Sequence, residues 1–177
     1  MTGKTPCRIA THCLCELELP MRLALYQPDI PQNAGTLLRL AACLGVTVDI
    51  IEPAGFPVSD RAFRRAGLDY LDHVEIVRHV SFAAFEAVRR AEGRRLVLLT
   101  TQAETSFLDA AYRSDDVLMV GRESAGAPPE THDSADLRVA IPMRPGMRSL
   151  NVAVAGAMAL AEALRATGGF PSLSAPA

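Results

Sequence analysis

The sequence predicts an α/β fold, in which a mostly parallel sheet is flanked by helices. Short apolar segments alternate along the chain with longer segments of helical periodicity. Several of the apolar segments are continuous rather than alternating in polarity, as expected for strands that are covered on both faces. The chain has 177 residues, which is enough for one domain with a sizeable core.

Six short apolar runs are predicted to be strands, and the first convincing one begins directly after Met21. The predicted strands are 23–26, 47–51, 74–77, 96–100, 117–121 and 137–141.

Five segments between and after these strands are predicted to be helices. Asp60 and Ser81 are suitable N-caps, and Gly45 and Gly93 are suitable helix ends. The predicted helices are 33–44, 60–66, 81–91, a short one near 107–112, and 150–166.

The two ends of the chain are predicted to lie outside the folded domain, which spans 21–167. In this interpretation residues 1–20 form either a disordered extension or a non-native one, with Met21 as the biological start in the second case, and residues 168–177 form a flexible tail. Three of the four cysteines precede Pro20, so no disulfide framework is expected. Their spacing with His12 matches no zinc pattern, and we expect no metal.

The composition excludes some classes of protein and leaves others open. No apolar run reaches the ~18 residues of a membrane span, so a cytoplasmic protein without membrane contact is expected. The net charge of −2 does not by itself indicate a nucleic-acid partner. Every cationic side chain except Lys4 is arginine, which genome composition can explain, although guanidinium groups also suit phosphate.

Ligands of open α/β sheets bind beyond the carboxyl ends of the strands, which directs attention to the loops 27–32, 122–129 and 142–148. After the first loop, Arg39 is the only charged residue between Asp29 and Asp49. It therefore either pairs with a buried carboxylate or binds an anionic or polar ligand, unless it is a structural arginine of a core helix. Asn33 is a natural N-cap for that helix.

The second and third loops carry further candidates. Gly121 lets backbone groups reach a ligand, and Glu123, the only acid between Asp116 and Glu130, is a candidate ligand for a ribose hydroxyl or for Arg39. A tight turn is the plain alternative, and neither a dinucleotide fingerprint nor a P-loop is present. In the third loop, Ser149 is predicted to cap a helix rich in small residues.

These three groups of residues, in this order and spacing, resemble the SpoU branch of the SPOUT RNA methyltransferases over nearly all of 21–167. The segments 25–33 (LYQPDIPQN), 50–56 (IIEPAGF) and 64–70 (RRAGLDY) look like the tRNA cytidine/uridine 2′-O-methyltransferases of the wobble nucleotide. The sequence departs from that pattern where Ala127 follows Gly126 in place of leucine, and where Val152 follows Asn151.

The resemblance implies a sheet of five or six parallel strands and a C-terminal trefoil knot that holds S-adenosylmethionine without a metal. It implies a homodimer that pairs through the helices at 33–44 and 150–166. The residues that match the family's donor-binding positions are Leu99, Thr100, Gly121, Glu123, Ile141, Ser149 and Leu150.

The resemblance also implies catalytic and RNA-binding roles. Arg39 matches a residue described as a general base, but a guanidinium with a pKa above ~12 is a poor base. We therefore expect Arg39 to bind the ribose and a phosphate and to stabilise the developing alkoxide, with Glu123 and Asn151 orienting it or the ribose. The catalytic set is Asn33, Arg39, Glu123, Ser149 and Asn151, and the phosphate-binding set is Arg61, Arg64, Arg65, Arg144 and Arg148.

Two alternatives stay open at this point. The first is a ribosomal RNA 2′-O-methyltransferase of the same superfamily, which the segments 25–33 and 64–70 and the lack of an extra domain disfavour. The second is a non-catalytic RNA-binding dimer, which the joint presence of the five catalytic candidates disfavours.

Overall fold

The computed structural model describes residues 19–57 and 71–173 of the chain. The described elements alternate between strands and helices, as the sequence predicts. In chain order they are β1 (Arg22–Tyr26), α1 (Pro31–Leu44), β2 (Thr47–Ile51), a short 3-10 helix (Leu71–His73), β3 (Ile76–His79), α2 (Phe82–Ala91), β4 (Leu96–Leu99), β5 (Thr105–Ser106), β6 (Val117–Val120), α3 (Pro129–Ser134), β7 (Leu137–Ala140) and α4 (Val152–Thr167).

The strands form one sheet in the order β3-β2-β1-β6-β4-β7-β5, and every pairing among the described strands is parallel. Alternate residues of β1 face opposite layers because successive strand side chains point to opposite faces. Leu23 and Leu25 pack in the core cluster that contains α1 and α4, whereas Ala24 and Tyr26 pack in the cluster that contains α2. The predicted parallel sheet flanked by helices is thus confirmed, with seven strands instead of five or six.

The starts of α1 and α4 differ from prediction. α1 begins at Pro31 with Ile30 as its N-cap, so the prediction that Asn33 caps it is wrong. Proline favours the first helical position because its fixed φ suits a helix and its missing N–H is not needed there. α4 begins at Val152 with Asn151 as its N-cap, so the prediction that Ser149 caps it is also wrong. Gly45 ends α1 with a left-handed backbone, as predicted.

Two other predictions about elements are corrected, and one short helix was missed. No helix forms at 107–112, where β5 is followed by turns and the Tyr112 hydroxyl donates to the Phe107 carbonyl oxygen at 3.0 Å. The strand predicted at 74–77 lies at Ile76–His79, and the short helix α3 was not predicted. Ser81 caps α2 as predicted, since its hydroxyl accepts a hydrogen bond from the Ala84 N–H at 3.2 Å.

Some predictions fall on residues that the structure does not describe. The N-terminal extension, the helix at 60–66 and the arginines at 61, 64 and 65 lie outside the described residues, apart from the last two positions of the extension, and the predicted domain bounds stay a prediction. Within the described ranges, no helix combines the length and the apolar character that crossing a bilayer requires.

Candidate functional site

A cavity of about 600 Å³ opens at the carboxyl ends of β4, β6 and β7, next to the start of α1. Its volume lies in the range of small-molecule sites. Its position agrees with the rule that ligands of open parallel sheets bind beyond the carboxyl ends of the strands. The loops after β4, β6 and β7 form most of its wall.

The structure brings most of the predicted site residues together around this cavity. The residues of the predicted sets that line it are Asn33, Leu99, Thr100, Gly121, Glu123, Ile141, Arg148, Ser149, Leu150 and Asn151. Arg39 and Arg144 are exposed and are not part of the lining.

The turn after β6 is closed on itself and needs a glycine at its base. The Arg122 N–H donates to the Gly126 carbonyl at 3.0 Å, and the Gly126 N–H donates to the Arg122 carbonyl at 2.9 Å. A Cβ on Gly121 would lie 2.7 Å from both the Ala127 nitrogen and the Gly126 carbonyl carbon, which is closer than any side chain can approach. Gly121 therefore allows the turn to fold back at the edge of the cavity, which Gly121, Gly126 and Ala127 line.

Two amide side chains connect α1 and α4 at the cavity wall. The Asn151 Nδ2 donates to the Asn33 Oδ1 at 2.9 Å. The Asn151 Oδ1 in turn accepts from the backbone N–H groups of Ala153 at 2.9 Å and Val154 at 3.2 Å. Each amide nitrogen must donate and each amide oxygen must accept in these contacts, so the orientation of both side chains is fixed.

Glu123 extends the same polar wall and shares a hydrogen bond with Asp29. Burial and this bond raise the pKa of the Glu123 carboxyl, whereas the bond to Glu123 lowers the pKa of Asp29 to about 2. Of the two carboxyl groups, Asp29 is thus the more readily ionised. Asn33 also donates to the Glu123 carboxylate, so the two asparagines and this carboxyl group form one connected set.

Arg39 lies on the exposed face of α1. It follows Asn33 by six residues, which in an α-helix is about 9 Å along the axis and about 120° around it. Gln32, Thr36 and Cys43 are exposed on the same side. The geometry therefore separates Arg39 from the cavity of its own chain.

Sequence reasoning missed several residues at this site. Asp29 contacts the turn after β6. Arg122 and His132 line the cavity. The loop at 27–32 was singled out by its position after β1, but nothing in its residue types indicates that Asp29 contacts the turn after β6. Such contacts depend on β1 and β6 being neighbours in the sheet, which the chain order does not reveal.

The lining combines backbone groups and amides with apolar side chains such as Leu99, Ile141 and Leu150. Such a wall suits a ligand with an apolar ring and several hydrogen-bonding groups. Among the described residues, no cluster of three histidine, cysteine or acidic side chains could hold a metal ion.

The profile of the SpoU rRNA Methylase family matches residues 20–161. The chain belongs to the SpoU rRNA methylase family. A relative in this family, the tRNA (cytidine(34)-2'-O)-methyltransferase of Beijerinckia indica, is 68% identical over 146 residues, or 82% of this chain and 91% of that protein.

Two solved structures of RNA methyltransferases have the same fold as this chain. One, reported as giving structural insights into the 2-OH methylation of C/U34 on tRNA, has a TM-score of 0.78 at 42% identity and covers 84% of this chain and 97% of that chain. An AdoMet-bound rRNA methyltransferase from Sinorhizobium meliloti has a TM-score of 0.75 at 29% identity. That match covers 84% of this chain and 57% of the longer relative.

Proposed function

We propose that this chain transfers a methyl group from S-adenosylmethionine to the ribose 2′-hydroxyl of nucleotide 34, the wobble position, of tRNA in the cytoplasm. The observation that carries the proposal is the cavity at the ends of β4, β6 and β7. All seven residues that are predicted to bind the donor lie in the wall of this cavity. The family and the names of the relatives support the same reaction and substrate.

The cavity fits S-adenosylmethionine in size and in chemistry. Leu99, Ile141 and Leu150 offer apolar contacts to an adenine ring, and the closed turn above Gly121 offers backbone donors and acceptors. When bound, the cofactor supplies a methyl group that is already activated by the positive sulfonium. The structure of an AdoMet-bound relative supports this choice of donor.

The chain's own residues would bind and orient the acceptor ribose. Asn33 and Asn151 hold each other at the wall of the cavity, where their remaining hydrogen-bonding capacity can meet a ribose hydroxyl. Arg148 lines the same cavity from an exposed loop and can bind an adjacent phosphate. Arg39 would stabilise the alkoxide that develops as the hydroxyl loses its proton.

We further propose a homodimer that pairs through α1 and α4, since each offers an exposed face next to the cavity. Val154 and Met158, one turn apart on α4, are 51% and 39% exposed, and Leu150 at the cavity is 40% exposed. An apolar ridge of this kind is typical of a surface that another protein covers. In a symmetric pair the exposed side of α1 would bring Arg39 to the partner's cavity.

The trefoil knot of the resembling family is proposed as well. The loop after β7 returns to the cavity, where Arg148, Ser149 and Leu150 lie beside Gly121 and Thr100, before α4 packs against α1. If the segment between β7 and α4 passes between the loop after β4 and the loop after β6, the chain is knotted. The likeness to SpoU structures over 84% of the chain supports this path.

The activity is tested by nucleoside mass spectrometry of tRNA incubated with the purified chain and S-adenosylmethionine. We expect 2′-O-methylation at nucleotide 34, and none on a tRNA that carries a deoxyribose there. Arg39→Ala is expected to lower the turnover rate about a hundredfold or more, with nearly unchanged donor affinity. Arg113→Ala, which removes an exposed arginine outside the cavity lining, is the matched control.

If the partner subunit supplies Arg39 to each site, mixed dimers of two inactive variants should regain activity. Arg39→Ala and Glu123→Ala are each expected to be inactive alone. When the two are unfolded and refolded together, half of the dimers carry one intact site, so about a quarter of the wild-type activity should return. A mixture that stays inactive would contradict the arrangement between subunits. Methylation of ribosomal RNA in preference to tRNA would contradict the proposed substrate.

A further inference from the structure

Asp29 lies in the loop between β1 and α1. Two other segments pack against this residue, namely the turn after β6 and the loop after β2. Its Oδ1 accepts from the Glu123 N–H at 3.2 Å, and its Oδ2 accepts from the Ser124 N–H at 3.3 Å and from the Ser124 hydroxyl. In return, the Asp29 N–H donates to the Glu123 Oε2 at 3.0 Å. The loop after β1 and the turn after β6 are therefore joined by reciprocal bonds.

The loop after β2 packs against the same residue from another side. The Gly55 N–H donates to the Pro28 carbonyl at 2.9 Å, and a Cβ on Gly55 would lie 2.9 Å from the Asp29 Cα. The Asp29 side chain is only 15% exposed as a result. A carboxylate this enclosed is stabilised by the donors around it rather than by water.

The groups around Asp29 favour its ionised form. The nearest cationic group is the Arg122 guanidinium, whose Nε lies 3.7 Å from the Asp29 Oδ2. The hydrogen bond with Glu123, followed by those with Ser124, lowers the pKa of Asp29 to about 2. Asn33 on α1 also faces Glu123, and His132 and Arg148 are the other titratable side chains that line the same cavity, beside Arg122.

We propose that Asp29 is a positioning residue of the donor site, which fixes the turn after β6 and sets the orientation of the Glu123 carboxyl group at the cavity. The turn that Asp29 holds is the one that folds over Gly121, so its position decides which backbone groups face the ligand. Asp29 itself is not part of the cavity lining and acts through Glu123 and Ser124. The inference rests on the proposed function for the identity of the ligand.

The test combines a titration with a binding measurement on the full chain without RNA. The carboxyl carbon of Glu123 is followed by ¹³C NMR against pH, and the dissociation constant of S-adenosylmethionine is measured by calorimetry. In Asp29→Asn the charged partner is lost, so ionisation of Glu123 becomes easier and its pKa should fall by about one unit. The dissociation constant should rise about tenfold, since hydrogen bonds to a charged group are removed.

Asp109→Asn is the matched control, because Asp109 is an exposed aspartate in the turn after β5, outside the cavity lining. It should leave both readouts at their wild-type values. Should Asp29→Asn not fold, Ser124→Ala removes a single donor from the same carboxylate. The charge of Asp29 is then less well stabilised, so the pKa of Glu123 should fall by a smaller amount.

The role of Asp29 is overturned if a folded Asp29→Asn variant leaves either the Glu123 titration or the dissociation constant unchanged. It is also overturned if Ser124→Ala leaves the Glu123 titration unchanged. If the wild-type chain binds no S-adenosylmethionine, the proposed function fails, whereas the Glu123 titration still decides whether Asp29 sets the state of that carboxyl group.

Discussion

At the scale of single residues, the site depends on groups whose effect is steric as much as chemical. Gly121 contributes no side chain, yet the closed turn after β6 needs its missing Cβ. Asn151 has two simultaneous tasks, because its oxygen caps α4 and its nitrogen holds Asn33. Substitutions at Gly121 and Asn151 can therefore test the shape of the site separately from its hydrogen bonds.

Gly121→Ala is expected to weaken binding of S-adenosylmethionine about tenfold or more. The added methyl group would meet backbone atoms of Gly126 and Ala127 at 2.7 Å, and the turn must move to accommodate it. Overpacking of this kind costs roughly 1–3 kcal/mol. Calorimetric titration measures the effect.

Gly169→Ala is the control, because there a methyl group comes closest to the movable end of the Leu164 side chain. Donor affinity should be normal in that variant. A Gly121→Ala protein that binds as tightly as the wild type would show that the turn does not shape the site.

At the scale of elements, the caps of the helices connect stability to the site. Asn151→Ala removes a cap worth about 1 kcal/mol and the bond to Asn33, so both thermal stability and the methylation rate should fall. Ser81→Ala removes the cap of α2 at a similar cost, and it should lower stability alone.

Asn151→Asp separates the two tasks of the residue. Its carboxylate can still cap α4, and it interacts favourably with the helix N-terminus. It cannot donate to the Asn33 oxygen, so we expect near-normal thermal stability with a strongly reduced methylation rate. Normal methylation by this variant would remove the Asn33–Asn151 pair from the catalytic proposal.

Elements also show how far the sequence alone can be read. Apolar runs located β1, β2, β4, β6 and β7 closely, because buried parallel strands must be apolar on both faces. Helix starts were missed by two or three residues, since Asn33 and Ser149 look like caps but the chain turns into the helix elsewhere. The segment at 107–112 has a helical composition but is held in turns by local bonds.

At the scale of the whole molecule, the sequence did not reveal which strands are neighbours. The contact of Asp29 with the turn after β6 arises because β6, far along the chain, pairs with β1. The predicted donor-binding residues did gather at one cavity, because each of them ends or follows a parallel strand or lies just before the last helix. Arg39 lies outside this cavity, on the exposed face of α1. The sequence of one chain does not reveal whether such a residue reaches the site of a second chain.

The proposed dimer makes a prediction at this scale. Val154→Glu places a charge on the exposed apolar ridge of α4, where pairing would have to bury it. We expect the variant to sediment as a monomer and to lose activity at least tenfold, because Arg39 would no longer reach a partner's cavity.

The matched control is Val88→Glu, which changes a valine of similar exposure (41%) on α2. It should sediment and methylate as the wild type does. A Val154→Glu protein that remains dimeric, or a monomer with full activity, would contradict the pairing through α4.

The cavity has a consequence for how the protein is made. Its walls come from the loops after β4, β6 and β7 and from the first turn of α4, so most of them belong to the second half of the chain. A ribosome must therefore translate past Asn151 before a growing polypeptide can complete this cavity. Ligand stabilisation, which requires a formed site, would then protect finished chains from degradation and leave truncated ones exposed to it.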